Sequence, residues 1–481
     1  MEDEPKNDKE EKNEKENDIY LQDYLKFKKQ FLRVALVLGV KFAKKDTSKY
    51  VKILKPCKPP YKNFNPIKHS NDSNENIYIT KFTTDERSSL ENDMLNPEKN
   101  TDLTKEDKFT IVDEKISLNV NNFSYDEVFT MFIEEEKENK KLKDDDETIS
   151  KILKSIPNGF EIVGKIAHFN LRDEYIKYRY FIGQLVLDKN PSISTVVNKV
   201  GKIENVYRTY EMEIIAGEEN YNVEHKEGNV RFKFDLRKTY WCSRLQNERD
   251  RVLSLMKKNE VLCDAFCGVG PLALRACKKG VKVYANDLNP DAYEYLNNSI
   301  KLNKLDKDKS VIKTYNMDAR VFIKSLVNLT KNTIDEDEEN PDKIFPYDLH
   351  IDHIYMNLPK DAIEFMDIFF GLFKGCKEKI YNKDNLPIIH VYGFAKTDNE
   401  PLECLKKRIA KAFKMKYELF KKECEKDIIN IESVRDISNK KKVYCIDMRI
   451  PSIVAFGNYS PEEQKEDIKE EKEENEEEEE M

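Results

Sequence analysis

Short apolar runs alternate with amphipathic stretches throughout residues 236–460 of the chain. Each run ends in polar residues, as an interior strand of a parallel sheet does, and the stretches between the runs have helical periodicity. The five runs are EVLCDAFCGVG, VKVYANDLNP, SVIKTYNMDA, HIDHIYMNLP and PIIHVYGFA. This alternation predicts an α/β domain, in which helices cover both faces of a doubly wound parallel sheet.

The pattern is different between residues 145 and 235, where strand-like runs follow one another with little but turn residues between them. These runs are EIVGKIAHFN, FIGQLVLDKN, STVVNKVGKI, YEMEIIAG and VRFKFDL, and they predict a small α+β domain. A first folded segment over 19–134 opens on a helical stretch followed by a β-like apolar run. The charge-rich stretch EEEKENKKLKDDDE, which predicts a solvated helix or a linker, separates the two.

Both ends of the chain are highly charged and poor in apolar residues, so we expect disorder over 1–18 and 461–481. The acidic segment 331–346 predicts a loop between the third and fourth strands. The chain has a net charge of −8, of which residues 1–17 contribute −4 and residues 462–481 contribute −10, so the part between carries +6. A basic body is compatible with a phosphate-binding face and equally with a lysine-rich solvated surface.

Composition also constrains the compartment. No apolar run approaches the roughly 20 residues that span a bilayer, and the N-terminal residues resemble neither a secretion signal nor a transit peptide. The nine cysteines lack paired spacing, which favours free thiols in a reducing compartment. We therefore expect a cytoplasmic protein without a membrane partner. Six histidines lack metal-ligand spacing, except that His350 and His353 fall within or beside one predicted strand, so we expect structural roles and no metal. They are His69, His168, His225, His350, His353 and His390.

Polar residues that close the first three runs predict a nucleotide-binding site, because ligands of doubly wound sheets bind at the carboxyl ends of strands. The first run contains Asp264, followed by Gly268 and Gly270, where a tight turn brings backbone N–H groups close to a ligand. The second run ends at Asp287, whose carboxylate can accept hydrogen bonds from both hydroxyls of a ribose. The third ends at Asp318, in a position to meet an adenine edge.

Two cofactors are compatible with this arrangement of polar strand ends, a nicotinamide dinucleotide and S-adenosylmethionine. The dinucleotide fingerprint needs a third glycine beside the pyrophosphate, whereas Pro271 and Leu272 follow the GVG sequence here. A carboxylate at Asp264 would repel a diphosphate but suits the ammonium group of a methionine moiety. The sequence therefore favours S-adenosylmethionine.

The fourth run closes on the sequence MNLP, which includes Asn357 and Pro359. Similar Asn-x-Pro motifs stand beside the transferred methyl group in amino- and ring-nitrogen methyltransferases, where the amide oxygen accepts a hydrogen bond from the base. Proline lacks an N–H group and stiffens the turn. In isolation the same residues are also typical of an ordinary turn after a strand.

Taken together, these motifs resemble those of the archaeal and eukaryotic tRNA (guanine-37-N1)-methyltransferases over about residues 155–460. The resemblance is carried by DAFCGVGPL, NDLNP and MNLP and by the upstream sequences VVNKVGKIENVYRTYEMEIIAG and FDLRKTYWCSRLQNERDRV. It is weaker over 20–132. It implies a Rossmann-like class I methyltransferase domain preceded by two smaller α+β RNA-binding domains, a monomer, a tRNA partner, and a methyl group placed on N1 of the guanine 3′ to the anticodon.

The resemblance also implies roles for individual residues. Glu248 matches the general base, which must remove the proton that guanine N1 holds at neutral pH. Arg208 matches the arginine that binds guanine O6 and stabilises negative charge on the ring, and Asn357 would hold the guanine. The family's cofactor contacts add Arg249, Asp287, Leu288, Asp318 and Ala319 to Asp264, Gly268, Gly270, Asn357 and Pro359, and Tyr240 and Arg244 would support the target nucleotide.

The chain departs from the family pattern at Cys267 and Leu272, which replace the usual alanine and phenylalanine, and at Lys360, where many eukaryotic relatives have alanine. These differences concern the fine geometry around the cofactor and not the reaction class. Relatives occur in the cytoplasm, the nucleus and the mitochondrial matrix.

Two other functions stay open. One is the related aminocarboxypropyl transfer of the wybutosine pathway, and the other is a tRNA- or protein-binding module with a decayed cofactor site. Retention of Glu248, Arg208 and the NLP motif favours methyl transfer over the first. Retention of Asp264 and Asp287, with the two glycines between them, argues against the second.

Overall fold

The computed structural model describes residues 8–69, 74–96, 100–104, 106–139, 146–201, 207–307, 311–328, 349–397, 400–438 and 440–460. The chain divides into two compact units. The first comprises Met1–Val200 with Met212–Asn220, and the second comprises Gly201–Glu211 with Tyr221–Met481. None of the described helices combines the length and the apolar character that a membrane span requires.

The first unit contains two four-stranded sheets, ordered β2-β3-β1-β4 and β5-β6-β7-β8. The strands are β1 (Arg33–Ala43), β2 (Ile67–His69), β3 (Glu75–Ile79), β4 (Phe109–Leu118), β5 (Glu161–Val163), β6 (Ile166–Phe169), β7 (Thr195–Val200) and β8 (Glu211–Gly217). The helices are α1 (Asp8–Gln30), α2 (Thr47–Leu54), α3 (Arg87–Ser89), α4 (Tyr125–Glu138), α5 (Asp146–Lys154), α6 (Asp173–Ile176) and α7 (Arg179–Lys189).

A shared core explains why the two predicted N-terminal domains form one compact unit. Phe132 on α4 packs against Phe181 on α7, with ring centroids 4.4 Å apart. The hydroxyl of Tyr24 on α1 donates a hydrogen bond to Asp188 at 2.8 Å. Helices from the segment before residue 140 therefore bury apolar side chains against a helix of the segment after it.

The run FIGQLVLDKN is part of helix α7, so the prediction of a strand there is wrong. Phe181, Ile182, Leu185 and Val186 are fully buried, and their spacing is helical. A short run that is apolar on all sides does not distinguish a buried helix from a buried strand. Gly183 lets this helix approach β8 closely, because a Cβ atom there would lie 2.8 Å from the carbonyl oxygen of Ile215.

The structure describes part of the predicted N-terminal tail but neither the predicted acidic loop nor the predicted C-terminal tail. Helix α1 begins at Asp8, so it occupies most of the segment 1–18 for which composition predicts disorder. A low apolar content argues against burial, but lysine and glutamate are good helix formers. The predicted loop at 331–346 and the predicted tail at 461–481 lie outside the described residues.

The second unit is built on a seven-stranded sheet of order β13-β12-β11-β14-β15-β17-β16, accompanied by the hairpin β9-β10. The strands are β9 (Asn222–Glu227), β10 (Val230–Asp235), β11 (Val261–Asp264), β12 (Lys282–Asn286), β13 (Ile312–Tyr315), β14 (His353–Met356), β15 (Ile388–Lys396), β16 (Ile428–Ser438) and β17 (Lys441–Arg449). The helices are α8 (Gln246–Leu255), α9 (Ala273–Lys279), α10 (Pro290–Leu302), α11 (Ala319–Asn328), α12 (Pro401–Ala412), α13 (Tyr417–Glu423) and α14 (Ser452–Ala455).

The five predicted runs are the five parallel strands β11 to β15, which confirms the doubly wound α/β architecture. The strand order reverses between β11 and β14, and a crevice at the carboxyl ends of these two strands is the usual ligand site of such a sheet. Asp264 ends the first of them and Asn357 directly follows the second. The antiparallel strands β16 and β17 extend the sheet beyond the predicted runs.

The hairpin β9-β10 belongs to the second unit, whereas the sequence pattern places residues 222–235 in the middle domain. Asn303, at the end of α10, accounts for this position. Its Oδ1 accepts a hydrogen bond from the backbone N–H of Arg231 at 2.9 Å, and its Nδ2 donates to the carbonyl oxygen of the same residue at 2.6 Å. The strand-like run VRFKFDL is correctly predicted, but its packing partner is distant in sequence.

Candidate active site

The loop after β11 forms a backbone turn that is open on one side. Gly268 has a φ of +55°, and a Cβ atom there would meet no other atom within 4 Å. Gly270 has a φ of +82°, and a Cβ atom there would lie only 2.5 Å from Cδ1 of Leu296. Gly270 is therefore required by packing, while Gly268 leaves space for a ligand beside the backbone.

Asp264 is a buried carboxylate at the end of β11 with 1% of its surface exposed. Its Oδ1 accepts no hydrogen bond from any residue that the structure describes. Burial, together with the nearby Asp287, raises the pKa of Asp264 well above its usual range. A buried acceptor without a partner is costly and is a recognised mark of a functional site. A cationic ligand group would compensate it.

Asp287 ties the end of β12 to the glycine loop. Its Oδ2 accepts a hydrogen bond from the backbone N–H of Gly268 at 2.7 Å, and its Oδ1 accepts one from Asn289 at 2.9 Å. Burial raises the pKa of this carboxyl group also. Each carboxylate oxygen has two lone pairs, so both oxygens retain an acceptor position suited to ribose hydroxyls. Leu288, next in the chain, is exposed beside them.

Asp318 lies directly before α11 and caps it. Its Oδ1 accepts hydrogen bonds from the backbone N–H groups of Arg320 at 2.8 Å and Val321 at 3.3 Å. Ala319 is buried at the first position of the helix. The three polar strand ends that the sequence pattern singles out thus lie at the same edge of adjacent parallel strands.

A chain of side-chain contacts links Asn357 to Glu248. Nδ2 of Asn357 donates to the hydroxyl oxygen of Tyr355 at 3.0 Å. The ring of Tyr355 packs edge-on against that of Tyr392, with centroids 5.4 Å apart. The hydroxyl of Tyr392 donates to Oε1 of Glu248 at 2.7 Å. The structure therefore brings together two proposed catalytic residues that are distant in sequence, and the donation from Nδ2 leaves the amide oxygen of Asn357 available to a base.

Glu248 is 7% exposed and forms a two-point ion pair with Arg251. The Nε and Nη2 atoms of Arg251 donate to Oε2 and Oε1, each at 2.8 Å. The hydrogen bonds to Glu248 raise the pKa of the Arg251 guanidinium above its usual range. Arg251, Tyr355 and Tyr392 were not predicted from the sequence. The i, i+3 spacing of Arg251 from Glu248 on one helix is a signal that could have indicated it.

Arg208 forms an ion pair with Asp361, which lies two residues after Pro359. Its backbone has a φ of +59°, a left-handed conformation that is uncommon for an arginine. The contact places Arg208 beside the loop that carries Asn357. The Asp361 partner was not foreseen from sequence.

Two further predicted residues lie on the segment that leads into α8. Tyr240 is 40% exposed, and its hydroxyl oxygen accepts a hydrogen bond from Arg435 at 3.3 Å. Arg244 is exposed in the turn directly before α8. Both are therefore accessible, and their contacts with a nucleotide stay a prediction.

The contacts of Arg249 are those of a structural residue. Its guanidinium is buried against Glu227 on β9, with Nε 2.8 Å from Oε1, and Nη2 also donates to the carbonyl oxygen of Cys242. Glu227 also pairs with Arg275 on α9 at 3.0 Å. The pairs join α8 and α9 to the hairpin β9-β10. The cofactor contact that the resemblance implies for Arg249 stays a prediction.

We expect Glu227→Gln to lower the free energy of unfolding by about 3–5 kcal/mol, because it leaves the buried guanidinium of Arg249 without a compensating charge and leaves Arg275 paired only with Asp250. Urea denaturation followed by circular dichroism measures the loss. Glu224→Gln is the matched control, since Glu224 lies on the same strand in an exposed pair with Lys233 and should contribute little. Equal losses in the two variants would contradict the structural role.

Comparison with known proteins finds two family models that match the chain. The TRM5/TYW2 methyltransferase domain matches residues 223–333, and the TYW2 N-terminal domain matches residues 145–220. A protein of Batrachochytrium dendrobatidis named tRNA (guanine(37)-N(1))-methyltransferase is 37% identical over 390 residues, which cover 76% of each chain. One of the same name from Dictyostelium discoideum is 34% identical and covers 89% of this chain and 82% of its own.

Among solved structures, Trm5b from Pyrococcus abyssi is 26% identical with a TM-score of 0.55. The match covers 86% of this chain and 99% of that one.

Proposed function

The chain belongs to the tRNA (guanine(37)-N(1))-methyltransferase family and uses S-adenosylmethionine to methylate N1 of guanine 37 in tRNA, and we propose that Glu248 is its general base. The observation that supports this assignment is the contact chain from Asn357 through Tyr355 and Tyr392 to Glu248. These contacts connect a buried carboxylate to the point between β11 and β14 where the strand order reverses. The cofactor and the guanine must meet at that point.

The residues of the crevice fit S-adenosylmethionine. The unpartnered Oδ1 of Asp264 suits the ammonium group, and the open side of Gly268 admits the methionine moiety close to the backbone. Asp287 would accept the ribose hydroxyls. When bound, S-adenosylmethionine supplies an activated methyl group on its sulfonium. We assign the adenine surroundings to Leu288, Asp318 and Ala319, and the wall of the methionine side to Gly270, Pro359 and Arg249.

The remaining residues act on guanine. Glu248 accepts the N1 proton as the new N–C bond forms, because the lone pair of N1–H is delocalised over the ring and an electron pair becomes available to the methyl carbon only when the N–H bond breaks. Arg208 exchanges its Asp361 partner for guanine O6 and stabilises the negative charge that develops there. Asn357 presents its amide oxygen to the exocyclic amino group and so holds the ring in plane. Tyr240 and Arg244 support the nucleotide from the segment before α8.

We propose that the protein acts as a monomer, because one chain supplies every residue assigned to the site. We also propose a cytoplasmic location, with the nucleus and the mitochondrial matrix as the alternatives. Light scattering on the purified protein and imaging of a tagged chain test these two points.

The reaction is tested with unmodified tRNA transcripts that carry G or A at position 37. We expect label from S-adenosylmethionine to enter only the G transcript when the methyl carbon is labelled, and nuclease mapping to place it on N1. With the cofactor labelled in its aminocarboxypropyl carbons, we expect no transfer. Label from those carbons in tRNA would instead establish the aminocarboxypropyl reaction, and tight binding without any transfer would indicate a binding module.

A further inference from the structure

A row of polar side chains crosses one face of the central sheet. Side chains on a strand alternate between the two faces, so Tyr355 and His353 share a face of β14. Tyr355 pairs in register with His390 on β15, and His390 pairs with Asp447 on β17. Tyr392 lies two residues beyond His390 on the same face. All five are buried, an unusual content for the interior of an α/β sheet.

These residues continue the contacts of Arg251. Its Nη1 donates to Oδ2 of Asp447 at 2.6 Å. Oδ1 of Asp447 lies 2.6 Å from Nδ1 of His390, and Nε2 of His390 lies 3.0 Å from Nδ1 of His353. The chain ends at Glu260, whose Oε2 lies 3.1 Å from Nε2 of His353. An unbroken series of contacts thus runs from α8 to the residue that precedes β11.

Asp447 is held as an anion within this series. Burial and the neighbouring His390 lower the pKa of His353. Burial opposes the charge of Asp447, but hydrogen bonds from His390 and Arg251 outweigh it and lower the pKa of Asp447 to about 2. Asp447 therefore stays ionised between His390 and Arg251.

The same contacts distinguish the two oxygens of Glu248. Oε1 accepts from Nη2 of Arg251 and from the hydroxyl of Tyr392, which uses both of its lone pairs. Oε2 accepts only from Nε of Arg251 among the described residues, so it keeps one acceptor position. The planar fork of the guanidinium fixes the plane of the carboxylate, and that plane fixes the direction of the remaining lone pair.

We propose that Arg251 is a positioning residue for methyl transfer, which aligns Glu248 so that Oε2 takes the proton of guanine N1. Asp447 holds Arg251 in this orientation, and the imidazole pair with Glu260 holds Asp447. Arg251 acts only through Glu248, so the inference rests on the proposed role of that carboxylate. It adds to that role the oxygen that is used and the residues that orient it.

Single-turnover methyl transfer by Arg251→Met tests the inference. We expect the rate to fall by about a hundredfold, the usual result of a small misplacement of a catalytic group, while KM for tRNA and for S-adenosylmethionine changes less than about twofold. Arg251→Lys keeps the charge without the fork and should recover part of the rate, and Asp447→Asn should be intermediate. Arg449→Met is the control, because Arg449 lies on β17, as Asp447 does, but donates its hydrogen bond to the carbonyl oxygen of Leu386.

A wild-type rate in Arg251→Met, or a loss confined to KM, would overturn the inference. If Arg251→Met does not fold, as judged by circular dichroism, Arg251→Lys and Asp447→Asn decide the matter by the same criteria, and two wild-type rates refute it.

A double variant separates this inference from the proposed function. Glu248→Gln with a wild-type rate would show that Glu248 is not the base. If Glu248→Gln is slow, Arg251→Met added to it should slow the reaction no further, because both changes remove the same oriented carboxylate. If the double variant were slower than Glu248→Gln by the same factor by which Arg251→Met alone slows the wild type, Arg251 would act independently of Glu248. The inference would then fail while the proposed function stands.

Discussion

Glu248→Gln should reduce the single-turnover rate of methyl transfer to guanine 37 by about a thousandfold, within the range that a general base contributes. Glutamine has nearly the same shape and can still accept the hydrogen bond from Tyr392, but it cannot take the N1 proton. The affinities for tRNA and S-adenosylmethionine should change little. Quench-flow assays measure the rate, and titration calorimetry measures the two affinities.

Glu418→Gln is the matched control for this change, because Glu418 is exposed on α13. Its rate should equal that of the wild type. If Glu248→Gln stayed within tenfold of the wild-type rate, another group would have to remove the proton.

Asp264→Asn should lower the affinity for S-adenosylmethionine by about a hundredfold without lowering the stability of the ligand-free protein. The carboxyl group is buried and its Oδ1 has no partner among the described residues, so asparagine replaces a group whose ionisation the ligand-free fold disfavours. The same change removes the anion that would pair with the ammonium group, and the loss of one partner of a buried charge pair costs about 2–5 kcal/mol.

The pH dependence of stability follows from the same carboxyl group. Because the pKa of Asp264 is raised in the folded protein above its ordinary value of 3.8, the folded state holds a proton that the unfolded state releases. Its contribution to stability is fully present below pH 3.8 and is lost as the pH rises through the folded value. At neutral pH the ligand-free Asp264→Asn variant should therefore melt at the wild-type temperature or above it.

Thermal unfolding with and without S-adenosylmethionine checks both halves of this prediction. The wild type should be strongly stabilised by the cofactor, and Asp264→Asn only weakly. Asp291→Asn, in an exposed pair with Lys238, should behave as the wild type does. Tight cofactor binding by Asp264→Asn would remove Asp264 from the ammonium site.

The local sequence pattern was sufficient to predict a strand where burial on both faces of the sheet requires a continuous apolar run bounded by polar residues. The five parallel strands are of this kind, and Asp264 and Asp287 were found because such strands place their closing residues at one edge. The same pattern could not distinguish helix from strand at α7. Phe181 and Leu185 lie there in a run that is apolar on every side and therefore shows no clear hydrophobic period.

The sequence by itself determined the α/β class, the polar strand ends and the resemblance from which Glu248, Arg208 and Asn357 were assigned. Only the tertiary structure decided how the base is held. Tyr392 is 144 residues from Glu248 and Asp447 is 196 residues from Arg251, and neither pairing has a local signature. Strand order brings them together, because β17 inserts beside β15 and aligns one face of each strand under α8. Contacts of this kind depend on which strands become neighbours, and the free energy that selects neighbours is spread over the whole core.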